Sequence, residues 1–456
     1  YVRTENSPTQ TITHLFSAVA CVESRNRFQL ILERVEKLLT QLQQRIRQRL
    51  SVTLPGDLEQ VLEKLSDDDL TLAELAQRLD REQTPVDRQW LLHIHALQRQ
   101  LLDMRKAFAE GSSGRGRASH GIVSQNAAGI YPWSPVTVPW AQNGNGEGVE
   151  LARGIWEAHM ARLCPEFIAI RKAELEIAGH YNPRIHDAFF AQFTWKQLNE
   201  EELSLCPPLV ITGTDKDFYQ KAGSLGDLFR TRAPVKILVF DTLQSNPCAP
   251  LQHLIAHDLF VLQASLHDKA HMLKGFAAGF QSARPALLQV LCPSVQDVQG
   301  FSDQATLSGV YPLFSGSSGN FSKTLDIHPD TYLEDNFRDG ITFAELAAQD
   351  PRFSEFFTAL HTHTGTRVAA YLQLDEDERL ETIPVVERTE KEGHVESWLV
   401  SLGMLDRVHE FVRCKCLLRY LMRADESVAK EESVREEARR DLVHTLTQSL
   451  FSMAQG

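Results

Sequence analysis

Long hydrophobic runs are missing from this chain of 456 residues. The longest apolar stretches, such as Pro208–Thr212 and Val235–Phe240, are strand-sized and far short of the roughly 20 residues that cross a bilayer. The opening Tyr-Val-Arg-Thr-Glu-Asn holds neither the basic nor the apolar block expected of a secretory leader. A first residue other than Met is what a trimmed or processed piece is expected to show. Positive charge is in deficit: 47 Lys and Arg stand against 60 Asp and Glu, a net charge of −13. Without a basic cluster that balance repels nucleic acid. Paired cysteines are scarce as well. The seven thiols, at 21, 164, 206, 248, 292, 414 and 416, are odd in number and form no Cys-x-x-Cys, which argues against a disulfide framework and for a reducing, cytoplasmic setting. Cys414 and Cys416 are the close pair, and on a helix one intervening residue sets them about 200° apart.

What is present suits a large core or two ordinary ones, since 43% of the residues are hydrophobic. Over 26–110 the spacing predicts helices. Phe28, Ile31, Leu32, Val35, Leu38, Leu39, Leu42, Ile46 and Leu50 recur every three or four residues. Pro55-Gly56 breaks that pattern, Ser66-Asp-Asp-Asp starts a short helix at Leu70, and a third helix spans about Asp87 to Phe108. Between 118 and 330 strand-like segments (Gly121–Val123, Leu209–Thr212, Lys236–Phe240, Leu259–Gln263, Leu287–Leu291) alternate with helical ones (Val149–Arg162, Gly223–Arg230, Asp268–Phe280). Such alternation predicts an α/β protein with a doubly wound, mostly parallel sheet. Ligands in such sheets sit at the carboxyl ends of strands, here after Ile211 and Phe240.

From about 395 the pattern returns to helix, through Val395, Trp398, Leu399, Leu402, Leu405, Val408, Phe411 and Val412, and a charged final helix follows near 426–453. Two Gly-Ser-Ser-Gly stretches, 111–114 and 316–319, read as flexible loops or linkers. His267 and His271, like His253 and His257, repeat at i, i+4 as in zinc motifs, but no third ligand accompanies them and they read as polar positions on helices flanking the sheet. His93 and His95 share a helical stripe at a spacing that does not align them, and His361 and His363 would align only on a strand. Trp133 and Trp140, bracketed by prolines, read as packing residues.

Two segments carry a resemblance. Strand Leu209–Ile211 leads into Thr212-Gly-Thr-Asp-Lys-Asp-Phe-Tyr, and strand Val235–Phe240 leads into Asp241-Thr-Leu-Gln-Ser-Asn246. These resemble the Gly-Asp-Gly and Asp-Thr turns of the thiamine-diphosphate domain of pyruvate:ferredoxin oxidoreductase and related 2-oxoacid:acceptor oxidoreductases. Tyr131–Trp140 with the helix from Gly148, Asp258–Gly279 with Leu287–Ser294, and Gly309-Val-Tyr-Pro-Leu-Phe314 are similar to further family segments in the same order. Glu5–Phe16 resembles the stretch after the family's Cys-x-x-Cys-Gly-Glu. The resemblance implies a thiamine-diphosphate-type α/β domain over 1–25 and 111–365, a helical insertion over 26–110 and a helical C-terminal extension over 366–456.

The resemblance also implies positions for the cofactor: Glu5, Gly213, Thr214, Asp215, Thr242, Gln244 and Asn246. Magnesium would fall to Thr214, Thr242 and the carbonyl of Gln244. Thr stands where the family has its carboxylate, and a hard cation needs anionic oxygen, so the site is vestigial unless Asp215 or Asp217 turns in. Thr242 and Asp215 are then the candidate metal residues. The loop after Asn246 is short and holds two prolines, Pro247 and Pro250, which removes phosphate-binding amides. Thiolates expected for an iron–sulfur cluster are replaced by Val-Arg-Thr-Glu5 and by Cys292-Pro-Ser294. The expectation is a non-catalytic structural or regulatory subunit with no catalytic residue, no resident cofactor and no cluster, meeting partner chains through the insertion and the C-terminal helices. The alternative is a divergent component that binds thiamine diphosphate and magnesium and relies on other subunits for redox centres.

Overall fold

The computed structural model of the chain describes residues 7–53, 88–111, 117–118, 120–125, 140–142, 147–219, 222–231, 233–319, 322–334, 337–360, 365–389 and 395–422. They fall into two compact units. The first comprises 1–12, 212–279 and 284–456; the second comprises 13–211 and 280–283.

The second unit is mostly helical. It contains most of α1 (Pro8–Thr53), then α2 (Arg88–Glu110), β1 (Gly121–Ser124), β2 (Trp140–Gln142), α3 (Gly148–Ile177), α4 (Pro183–Phe190), α5 (Glu200–Leu205) and the start of β3 (Leu209–Thr214). The apolar stripe read in the sequence is buried at Ile31, Val35, Leu38, Leu42 and Ile46 of α1, and α2 buries Leu91, Ile94, Leu97 and Leu101. Trp156, Met160, Leu163, Phe167 and Ile170 bury the inner face of α3. Arg34 of α1 pairs with Glu174 of α3 at 2.8 Å. Arg171 of α3 forks onto Glu202, which also completes a capping box with Asn199 at the start of α5. The strand order is β2-β1-β3, with β1 and β2 parallel.

The first unit holds the end of β3, α6 (Asp215–Tyr219), α7 (Ala222–Arg230), β4 (Lys236–Asp241), α8 (Ala249–Ala256), β5 (Phe260–Ala264), α9 (Lys269–Gln281), β6 (Ala286–Leu291), α10 (Val298–Leu307), β7 (Phe314–Gly319) and β8 (Ser322–Ile327). Its sheet runs β3-β4-β6-β5-β7-β8, parallel from β4 through β6 to β5 and antiparallel at β7 and β8. The α/β class with a mostly parallel sheet is therefore observed. Strands β4 and β6 are buried at every position, which is why they read as mostly apolar runs, broken in β6 by Gln289.

A second sheet, β10-β11-β12-β9, follows from β9 (Phe357–Leu360), β10 (Thr366–Arg367), β11 (Pro384–Thr389) and β12 (Val395–Val400). The short helices α11 (Phe343–Ala347), α12 (Val368–Tyr371) and α13 (Glu376–Glu381) and a helix over 402–422 accompany it. Val386, Val400, Met404, Val408 and Phe411 share one core with Phe343 and Phe353. Phe343 and Phe411 stack at 4.1 Å.

Several expectations are corrected. Residues 395–400 are a strand, because Trp398 and Leu399 pair with Val386 and Val385 while Val400 pairs with Phe357, and the helix starts only at 402. The extension from 366 is accordingly mixed rather than helical. Gly-Ser-Ser-Gly 316–319 lies in β7, where Gly316 has β8 so close that a Cβ would come within 2.8 Å of the Thr324 carbonyl. The insertion expected from 26 has no boundary there: α1 runs unbroken from Pro8, and Ile12, Phe16 and Ala20 already carry its buried stripe. The two compact units part after residues 12 and 211, where the resemblance places boundaries at 25, 110 and 365. The short helix at Leu70, the charged helix near 426–453, Trp133, His361, His363 and most of 111–114 lie outside the described residues. Among the described residues no helix is long and apolar enough to cross a membrane.

Candidate functional site

Strands β3 and β4 are neighbours, and the turns that follow them meet at one knot of polar groups. Asp215, the first residue of α6, is 1% exposed. Its Oδ1 accepts from the Thr242 amide at 2.9 Å and the Thr242 hydroxyl at 2.5 Å. Its Oδ2 accepts from the amides of Gln244 and Ser245 at 3.1 and 2.9 Å. A buried carboxylate with four donors is fully satisfied, and it fixes the 242–245 turn amide by amide.

The opposite side of that turn faces a cation of the chain's own. Arg407, on the helix over 402–422, donates to the carbonyls of Leu243, Gln244 and Ser245, the last two at 3.4 and 3.3 Å. Burial lowers its pKa, while Asp215, Asp241 and Glu410 oppose that shift. Leu243 takes a left-handed φ of 60°, unusual for a branched residue, and is held there by its buried side chain and by its amide's bond to Asp241 Oδ1 at 2.8 Å.

Asp241, the last residue of β4, is 4% exposed. Burial pushes its carboxyl up to about 7, and the Asp215 charge adds to the shift. Gln289 of β6 donates to its Oδ2 and accepts from the Tyr219 hydroxyl. Tyr311 faces the same carboxylate, and burial beside these charges raises both tyrosine hydroxyls well above their ordinary value.

The structure brings together three of the positions implied by the resemblance: Asp215, Thr242 and Gln244. Gly213 lies buried within β3. Thr214 turns instead to Asp217, whose carboxylate accepts from its amide and hydroxyl at 3.0 and 2.8 Å, so Asp217 closes a local turn at the start of α6. Asn246 serves the next helix: its Oδ1 accepts from the Cys248 amide at 2.9 Å and its Nδ2 donates to Gln252. Glu5 lies outside the described residues. Asp241, Gln289, Tyr219, Tyr311 and Arg407 were not singled out from sequence. Asp241 and Gln289 carried a signal, as polar residues in otherwise apolar strands. Arg407 carried none.

As folded, these groups do not fit a magnesium diphosphate. Both Asp215 oxygens are held by two donors each, and Gln244 O faces a guanidinium that would repel a divalent cation. Among the described residues no group of three His, Cys, Asp or Glu side chains is arranged to hold a metal ion. Cys292 is buried with its thiol beside the Thr9 hydroxyl at 3.1 Å, and burial raises its pKa.

The histidine pairs resolve differently from one another. His253 lies on α8 and His257 caps it, their rings stacked 5.7 Å apart. His267 precedes α9 rather than sharing a helical face with His271, and its ring lies between Asp303 at 2.8 Å and Asp330 at 3.2 Å, which raise its pKa against desolvation. His328 pairs with Asp268 at 2.8 Å. No family model matches the chain, and no curated protein matches it.

Proposed function

We propose that the chain is a non-catalytic relative of the 2-oxoacid:ferredoxin oxidoreductases, built on a thiamine-diphosphate-type fold and kept as a structural or regulatory subunit of a larger cytoplasmic assembly. One observation carries this reading: the carboxylate, hydroxyl and carbonyl groups that a metal diphosphate would need are engaged with one another and with Arg407. The order of family-like segments supports the ancestry. In this role the chain takes no thiamine diphosphate, magnesium or iron–sulfur cluster, and α1, α2 and the helix over 402–422 offer faces to partner chains.

A titration of the intact protein with thiamine diphosphate and Mg²⁺ by calorimetry tests the reading, and no binding heat is expected. Micromolar binding that Asp215→Ala abolishes would overturn it. The second reading, a divergent oxidoreductase component, draws on the same carboxylate. Asp215 has turned in beside Thr242 and Gln244, and exchange of its four donors for a cation would rebuild a site.

A further inference from the structure

In the first unit two thiols approach each other from elements far apart in sequence. Cys248 ends the loop after β4 and stands at the N-cap of α8; Cys414 sits on the helix over 402–422. The Cys414 thiol donates to the Pro247 carbonyl at 3.3 Å, and the Cys248 thiol donates to the Glu410 carbonyl at 3.9 Å. Pro247 immediately precedes Cys248, and Glu410 lies one turn before Cys414. Each sulfur therefore reaches across the same gap toward the backbone beside the other thiol.

The pair is chemically unequal. Cys248 is 9% exposed and Cys414 2%. A helix N-cap favours a thiolate, and so does the nearby Arg413, while burial and the Glu410 charge oppose it. The contact with Cys414 lowers the Cys248 pKa, and the same contact, with burial, raises that of Cys414. This is the asymmetry of an attacking thiol and a resolving one.

We propose that Cys248 and Cys414 form a reversible dithiol–disulfide site that reacts with hydroperoxide. The Cys248 thiolate attacks one oxygen of hydrogen peroxide and breaks the O–O bond. Sulfenic acid forms, and the departing hydroxide takes the former thiol proton to leave as water. The Cys414 sulfur then attacks the Cys248 sulfur, and the sulfenic hydroxyl leaves as a second water with the Cys414 proton. Two thiols and one peroxide thus give one disulfide and two waters, and an external dithiol reverses the change. The new bond ties the loop that Arg407 holds to the helix that carries Arg407. Cys416, exposed on the opposite side of the helix turn, takes no part.

Peptide mapping of the intact wild-type chain after hydrogen peroxide, with free thiols alkylated under denaturing conditions, tests the proposal. A Cys248–Cys414 linkage that dithiothreitol reverses is expected, together with a melting temperature raised by roughly 5 °C. Cys414→Ser is expected to leave a Cys248 sulfenic acid that dimedone traps. Both thiols remaining fully alkylated, or Cys414 linked only to another cysteine, would overturn it. Because the mapping uses the unaltered chain, its outcome does not depend on whether the serine variant folds.

Discussion

At Asp215 the count of donors sets the consequence of substitution. Asn keeps the shape but offers one acceptor oxygen and one NH₂, so whichever way the amide turns, its NH₂ faces two donors from the 242–245 turn. Asp215→Asn is therefore expected to cost about 2–3 kcal/mol, nearly as much as Asp215→Ala, as read by urea unfolding. A loss below about 0.5 kcal/mol would show that the turn does not depend on the carboxylate. Asp241 makes the opposite kind of residue-scale statement. Its folded pKa, about 7, lies above the ordinary carboxyl value, so the folded state binds more protons than the unfolded one between about 4 and 7. Its contribution is fully present below that window and is lost as pH rises through it. The stability of wild type relative to Asp241→Asn is expected to fall by up to roughly 1.4 kcal/mol per pH unit across the window. A difference that stays flat with pH would refute the raised pKa.

At the scale of elements, the helix over 402–422 is anchored to the β4 turn by one side chain that reaches three carbonyls. A lysine is a point donor without the guanidinium fork. Arg407→Lys is expected to lose about 2 kcal/mol, close to the loss in Arg407→Ala, with faster amide exchange across 402–422 as the local readout. Wild-type exchange in the lysine variant would mean that the fork contributes nothing. The same anchor explains what was legible in the sequence. Strands β4, β5 and β6 and helices α3 and α9 announced themselves because burial on both faces, or on one broad face, writes a local pattern. Strand β12 did not: the apolar spacing at 395, 398, 399 and 402 also fits a helix, and what makes it a strand is pairing with Phe357 and Val386, set by residues elsewhere in the chain. The β7–β8 hairpin, rich in Ser and Gly, has no apolar run to announce it. In the site, Asp215 and Thr242 were legible from the strand ends. Arg407 was not, because its contacts span more than 160 residues and leave no local spacing.

For the molecule as a whole, the two units differ in how they respond to acid. The second unit buries His120 and His159 as neutral rings, each with its pKa lowered to about 4 by desolvation, and His93 is lowered in the same direction. A histidine lowered in the folded state contributes stability above its unfolded value of about 6.5 and loses it as pH falls toward 4. Glu166, raised by burial, offsets part of that loss. In the first unit His253, at about 4, with His257 and His271 pulls the same way, but Asp241, Glu345 and His267 are all raised and gain as pH falls. In the first unit the two directions oppose each other, whereas in the second His120 and His159 both lose as pH falls, with Glu166 working against them. Each of these two rings contributes up to roughly 1.4 kcal/mol per pH unit between about 4 and 6.5, large against a typical domain stability of about 5–15 kcal/mol. Hydrogen exchange at pH 7, 6 and 5 is thus expected to show protection lost first along α3, which carries His159, while β4 and β6 stay protected. Loss of protection in β4 and β6 before α3 would contradict the neutral burial of His120 and His159, and His159→Gln, which cannot take up a proton, is expected to shift the onset of exchange in α3 to lower pH.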